Sequence, residues 1–221
     1  MIRRLKAVLF VAALIPTAWL IWATLTGNLG VNPAETLQLQ TGRWGLRFLL
    51  LTLAVTPVRR LTGWNPIIRF RRMLGLFAFY YASLHLLTYL LLDQGFAWEA
   101  IAADIVKRPF ITVGFAAFVL MVPLALTSTQ ASIRRLGRRW STLHRLVYVA
   151  AICAAIHFIW KGKVIIGDPV TYAAMLSLLL GFRVFWLARG RVLSSSRPRA
   201  GAVAAHPPAP PPVRPPNLPV R

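Results

Sequence analysis

A single cysteine, Cys153, in a chain of 221 residues excludes an internal disulfide framework and any multi-cysteine zinc or iron–sulfur centre. Acidic residues are almost as scarce. There are five, Glu35, Asp93, Glu99, Asp104 and Asp168, all in or beside the connections between long apolar stretches. A membrane-buried proton or ion pathway built on carboxylates is therefore disfavoured, and no inverted repeat of the kind common in transporters is visible. Also missing are a Gly-rich dinucleotide fingerprint after a strand, a Walker A loop, a nucleophile motif and a soluble domain large enough for NAD(P)H or FAD. Any reducing equivalents are expected from a partner or from the membrane. The metal-ligand candidates that remain are four histidines, His85, His144, His157 and His206.

What the chain has in abundance is apolar surface. Hydrophobic residues make up 57% and charged residues only 14%, well outside the balance of a soluble domain. The net charge of +21 would point to nucleic acid on a soluble fold, but here it reads as topology signals between membrane spans, so the lipid bilayer and not nucleic acid is the expected partner. Apolar runs mark six spans, at 7–26, 44–57, 74–92, 110–127, 143–160 and 169–188, the first read as a retained span because its apolar run outlasts a signal peptide's. The second is the weakest, since it holds Arg47 and ends at Pro57. The expected fold is all-α: a polytopic membrane bundle of six transmembrane helices over residues 1–188. A Pro- and Arg-rich tail over 189–221 is expected to be disordered and cytoplasmic.

Lys and Arg fall unequally on the two sides of this bundle. Arg3, Arg4 and Lys6, the Arg59–Arg72 connection, the Arg134–Arg139 connection and the arginines after 188 share one side. Arg43, Lys107, Arg108, Lys161 and Lys163 lie on the other, with all the acids. Basic residues are retained in the cytoplasm, so both termini are expected there.

Three histidines fall within spans, where an ionisable side chain usually faces the bundle interior. Counted back from the outer ends of the third and fifth spans at about 1.5 Å per residue, His85 and His157 lie at similar depths, about 10 and 5 Å in. Two imidazoles facing across a bundle are a known cage for haem iron. His144 lies about 20 Å deeper than His157 on the same span, at the cytoplasmic edge. On an ideal helix it is about 140° out of phase with His157, so one shared seam requires tilt or local unwinding. Opposite His144 the third span offers Arg71 and Arg72 but no histidine, a level that suits a five-coordinate haem, a flavin phosphate or a quinone head group.

Several segments carry a family resemblance: RFRRMLG (69–75), ASLH (82–85), LTSTQ (126–130), LGRRW (136–140), LHRLVY (143–148) and IHFIW (156–160). Together they resemble the MsrQ (YedZ) family, within the ferric reductase-like transmembrane superfamily, over roughly residues 5–188. The resemblance implies a bacterial inner-membrane haem b protein, also described as binding FMN, with haem-iron ligands at His85, His144 and His157. It further implies an electron path from a cytosolic flavin reductase or the quinone pool to a periplasmic molybdopterin-containing methionine-sulfoxide reductase subunit that repairs oxidised proteins. The wider superfamily has a second histidine one level inward on the third span, where Arg71 stands here. Two other readings compete: a stand-alone ferric reductase or cytochrome b561-like protein, and a histidine-based proton or metal transporter.

Overall fold

The computed structural model describes residues 2–162 and 168–195 and is helical throughout. Nine α-helices follow in order: α1 Ile2–Leu25, α2 Pro33–Thr62, α3 Arg71–Thr88, α4 Trp98–Lys107, α5 Pro109–Leu126, α6 Gln130–Leu136, α7 Arg138–Leu143, α8 Leu146–Lys161 and α9 Asp168–Ser195. A 3₁₀ turn, Asn65–Phe70, leads into α3, and a π-helical turn, Tyr89–Asp93, ends it. Of the Pro- and Arg-rich tail expected to be disordered over 189–221, residues 189–195 continue α9, and the rest lies outside the described residues. Two compact units divide the chain, Met1–Arg183 and Val184–Arg221, and the site below belongs to the first.

Among the described residues, five helical segments are long and apolar enough to cross a membrane: Ile2–Leu25, Asn65–Asp93, Pro109–Leu126, Arg138–Lys161 and Asp168–Arg189. With α2 they form a bundle consistent with six spans. The weak second span is thus a 30-residue helix, much longer than the run at 44–57, and its ends explain why. Asn32 caps its start by accepting from the Glu35 backbone N–H, Pro33 occupies the first turn, and Glu35 faces the positive end of the helix dipole. At the other end Arg59 and Arg60 complement the negative pole, and Gly63, at φ 70°, closes the helix by donating to the Arg59 carbonyl. An apolar run registers only the lipid-compatible middle of such a helix.

Two arginines of α2, Arg43 and Arg47, have partners on α9. Arg47 donates from Nε to the Tyr172 hydroxyl of α9 at 2.7 Å and lies 4.6 Å from the Trp44 ring centroid. Arg43 pairs with Asp168 at 3.1 Å. A charge in the bilayer is tolerated when it faces the bundle and is hydrogen-bonded, so α2 is the core helix of the bundle. It packs along α3 in the most extensive helix contact, and α5 against α8 is the next.

Along the α2–α3 seam Phe48 stacks on Tyr81 at 5.4 Å and on Phe77 at 5.6 Å. Tyr81, fully buried, donates its hydroxyl to the Ala13 carbonyl at 2.7 Å and accepts from Thr17 Oγ1 at 3.0 Å. That pair of hydrogen bonds ties the loosely packed α1 to the core, because a buried phenol left unbonded is costly. Gly45 permits the close approach: a Cβ there would lie 3.3 Å from the Ala82 backbone nitrogen.

The fifth span differs from the expected 143–160 helix. A turn at His144 and Arg145 separates α7 from α8, with i→i+3 bonds from Val147 and Tyr148 to their carbonyls. An ideal-helix phase of about 140° between His144 and His157 therefore does not apply, because a tighter i→i+3 turn interrupts the helix at that point.

Candidate functional site

Between the α2–α3 pair and the α5–α8 pair lies a cavity of about 370 Å³, within the range of small-molecule and cofactor sites. His85, from α3, and His157, from α8, both line it. Their ring centroids are 6.0 Å apart and their planes are inclined at 73°. Each ring is fixed by one hydrogen bond to backbone: His85 Nδ1 to the Gln38 carbonyl of α2 at 2.8 Å, and His157 Nδ1 to the Phe110 carbonyl of α5 at 2.7 Å. A carbonyl can only accept, so Nδ1 carries the proton in both rings, and in the neutral imidazole Nε2 keeps its lone pair.

The walls between the histidines are lined by small residues, Gly42, Gly45, Ala78, Ala82, Gly114, Ala117 and Ala154, which leave a flat space among larger apolar side chains. The rim is polar and mainly cationic, with Arg43, Arg108 and Lys161 beside Asp93. Arg43 Nε is buried and has no hydrogen-bond partner, an orphan donor at the edge of an otherwise apolar pocket.

Helix α4 closes the rim of this cavity, where Trp98, Ile101 and Ile105 line it. Asp104 holds it there, accepting from Tyr89 Oη at 3.2 Å and from Gln94 Nε2 at 3.1 Å, and pairing with Arg108 Nε at 3.2 Å. Thr112 of α5 donates its hydroxyl to the Ile105 carbonyl and fixes the other end. Within this loop Glu99 is exposed while the Asp104 side chain is only 15% accessible, so the two acids have different roles. Asp104→Asn is expected to cost about 1–3 kcal/mol, seen as a lower thermal midpoint, whereas Glu99→Lys should leave that midpoint unchanged.

His144 does not line the paired-histidine cavity. Its ring lies 3.9 Å from the Trp140 ring, and Nε2 is 3.3 Å from Thr127 Oγ1 at the end of α5. Arg71 is near enough to act electrostatically on it, while Arg72 is exposed. Nearby Arg183 lies 4.5 Å from the Tyr148 ring centroid, and the Tyr148 hydroxyl is buried without a hydrogen-bond partner. Of the residues singled out in the sequence, then, the structure brings His85 and His157 together and sets His144 with Arg71 at another level. His206 lies outside the described residues. Gln38, Phe110, Gly42 and Gly114 were not singled out, since two of them act through backbone carbonyls and two through having no side chain. A signal was present nonetheless: each carbonyl lies 47 residues before the histidine it receives.

Comparison with known proteins places this arrangement. The ferric reductase like transmembrane component family matches residues 41–155, a stretch that holds α3, α5 and most of α2 and α8. A protein-methionine-sulfoxide reductase heme-binding subunit MsrQ from Herminiimonas arsenicoxydans is 52% identical over 185 residues, 82% of this chain and 85% of the relative. The chain belongs to the MsrQ family. Proteins of the same name from Ralstonia nicotianae, 49% identical over 92% of both chains, and Brucella anthropi, 50% identical over 89% of both, extend the match. No solved structure matches the chain. As the MsrQ relatives are named heme-binding, the paired-histidine cavity can be tested against that cofactor. Two metal–nitrogen bonds of about 2 Å each, plus the two ring radii, span about 6 Å, and the rings are 6.0 Å apart. Neutral imidazoles with free Nε2 lone pairs, small-residue walls and an unpaired buried arginine nitrogen all fit a haem, whose propionates the cationic rim would receive.

Proposed function

We propose that this MsrQ-family chain is the haem b membrane electron-transfer subunit of a methionine-sulfoxide reductase system. It carries single electrons from a cytosolic flavin reductase or the quinone pool across the bacterial inner membrane to a periplasmic molybdopterin-containing subunit, which reduces methionine sulfoxide in oxidised proteins. The observation that carries this reading is the pair of facing, Nδ1-anchored histidines, His85 and His157, over one cavity. Haem, when bound, supplies reversible one-electron chemistry. The chain's own residues do the rest: His85 and His157 ligate, Arg43, Arg108 and Lys161 offer charge to the propionates, and α4 covers the pocket.

A pair of histidines supplies two ligands. That suits an iron whose other positions are filled by a macrocycle better than it suits a bare ion, and among the described residues no cluster of three or more His, Cys, Asp or Glu side chains offers more. The same point weighs against a metal transporter. At the basic end we assign His144, Arg71 and Arg72 to a second cofactor level, where the arginines meet an anionic group such as the FMN phosphate and His144 ligates or hydrogen-bonds the cofactor. The bias of basic residues towards this end puts it, with both chain termini, in the cytoplasm.

The decisive experiment is a visible spectrum of the purified protein, followed by reoxidation. The dithionite-reduced chain should show b-type bands and be reoxidised only when the periplasmic subunit and an oxidised protein substrate are both present. Absence of haem bands ends the reading. Reoxidation by ferric chelates with no response to the periplasmic subunit favours the stand-alone ferric reductase. With Glu99 exposed on the outer loop, Glu99→Lys is expected to slow reoxidation by the partner while leaving haem content as it was; an unchanged rate removes that loop from the interface.

A further inference from the structure

The two histidines are held by the same device used twice. Gly42 lies four residues after Gln38 on α2, and Gly114 lies four residues after Phe110 on α5. In an α-helix the carbonyl of residue i is already bonded to the N–H of residue i+4, and the Cβ of residue i+4 leans back towards that carbonyl. A side chain at i+4 therefore shields the carbonyl from any second donor. With glycine there, a ring can lie on the backbone and reach it. The contacts are correspondingly close: a Cβ on Gly42 would stand 3.0 Å from His85 Nδ1 and 3.1 Å from Cε1. On Gly114 it would stand 2.5 Å from His157 Nδ1, 2.8 Å from Cε1 and 2.9 Å from Cγ.

The correspondence extends along both helix pairs. Gly42 and Gly114, Leu74 and Leu146, Ala78 and Ala150, Ala82 and Ala154, and His85 and His157 are identical pairs, each separated by 72 residues. α3 and α8 thus share one sequence pattern that ends in the histidine, each with its glycine on the helix it packs against. By the same offset the counterpart of His144 is Arg72, which is exposed.

We propose that Gly42 and Gly114 are positioning residues for the histidine ligands: each exposes one helical carbonyl, and that carbonyl fixes its imidazole's tautomer and its plane. This rests on the paired-histidine reading of the cavity. Two consequences follow. Donation from Nδ1 makes each imidazole a more basic ligand and favours ferric over ferrous haem. The steep mutual inclination of the rings, 73°, keeps two iron d orbitals nearly equal in energy, which gives a highly anisotropic low-spin EPR signal with one large g value.

The test is EPR and redox titration of the purified haem-loaded protein carrying Gly42→Ala, Gly114→Ala or, as a control, Gly75→Ala. A Cβ on Gly75 meets only Thr52, at an ordinary 3.6 Å. Gly42→Ala should retain haem with a smaller largest g value and a higher midpoint potential, because its ring has to yield by only a few tenths of an ångström. Gly114→Ala should lose most of the low-spin signal. Gly75→Ala should match the unaltered protein. If Gly42→Ala or Gly114→Ala binds haem with unchanged g values and midpoint, the inference is overturned. A second readout needs no variant: in infrared redox difference spectra with ¹⁵N-labelled histidine, the Nδ1–H bands should be those of a strongly bonded donor, and free Nδ1–H bands overturn the proposal. The cofactor reading fails on other evidence. If His85→Ala and His157→Ala leave the bis-histidine signal intact, the cavity is not the haem site; if they abolish it while the glycine variants stay silent, only the positioning role falls.

Discussion

Replacing either His85 or His157 by alanine is expected to abolish the same low-spin b-type signal, and the double variant should lose no more than either single one. The reason is geometric. With ring centroids 6.0 Å apart, the space between the rings would hold a single iron, so the two proposed ligands would act on one centre and their deletions would not be independent. Removing a partner that only orients a ligand typically costs ten- to a hundredfold in metal affinity. Removing the ligand itself should therefore lower haem occupancy by at least about tenfold, with any residual haem five-coordinate and high-spin. The check is haem content by pyridine haemochromogen together with EPR on all three variants. Additive losses, or two distinct haem components surviving in the two single variants, would show that the histidines serve different irons.

Much of this site was legible in the sequence because a membrane imposes few solutions. Intramembrane histidines have to face the bundle, and a rise of about 1.5 Å per residue was enough to set His85 and His157 at one depth. The backbone contribution could not be read in that way. Gln38 and Phe110 act through carbonyls, which every residue possesses, and Gly42 and Gly114 act by absence. Only the repeated spacing of 47 residues marks them in the sequence.

The second span was obscured for a related reason. Hydropathy scores Arg43 and Arg47 as a cost, and it cannot register that Asp168 and Tyr172 of α9 meet them. The outer loop presents the opposite case. Glu99 and Asp104 look equivalent as acids in a connection, yet Asp104 is spent holding α4 over the cavity. A residue's charge indicates where a contact is possible, and burial decides whether that contact is already made within the fold.

The second large effect is expected at His144, and it differs in kind from the first. His144 sits in the turn between α7 and α8 and outside the paired-histidine cavity. Its ring rests beside Trp140, with Nε2 3.3 Å from Thr127 Oγ1. The Thr127 hydroxyl already donates to the Pro123 carbonyl, so it accepts from Nε2–H, and in the neutral ring the lone pair that can serve a cofactor at the basic end is on Nδ1. His144→Ala should therefore preserve the low-spin signal of His85 and His157 while slowing reduction by the cytosolic flavin reductase or by quinol by about tenfold or more. Dithionite, which reaches the outer haem without the inner level, should reduce the variant as fast as the unaltered protein. Arg71→Ala should act in the same direction by weakening retention of an anionic cofactor beside His144. Arg72→Ala, at an exposed position, should have a smaller effect. Stopped-flow reduction with the two kinds of donor separates the outcomes. Loss of the low-spin signal in His144→Ala would place His144 on the outer iron, and equal slowing with both donors would mean that the variant disturbs the bundle and not a second cofactor level.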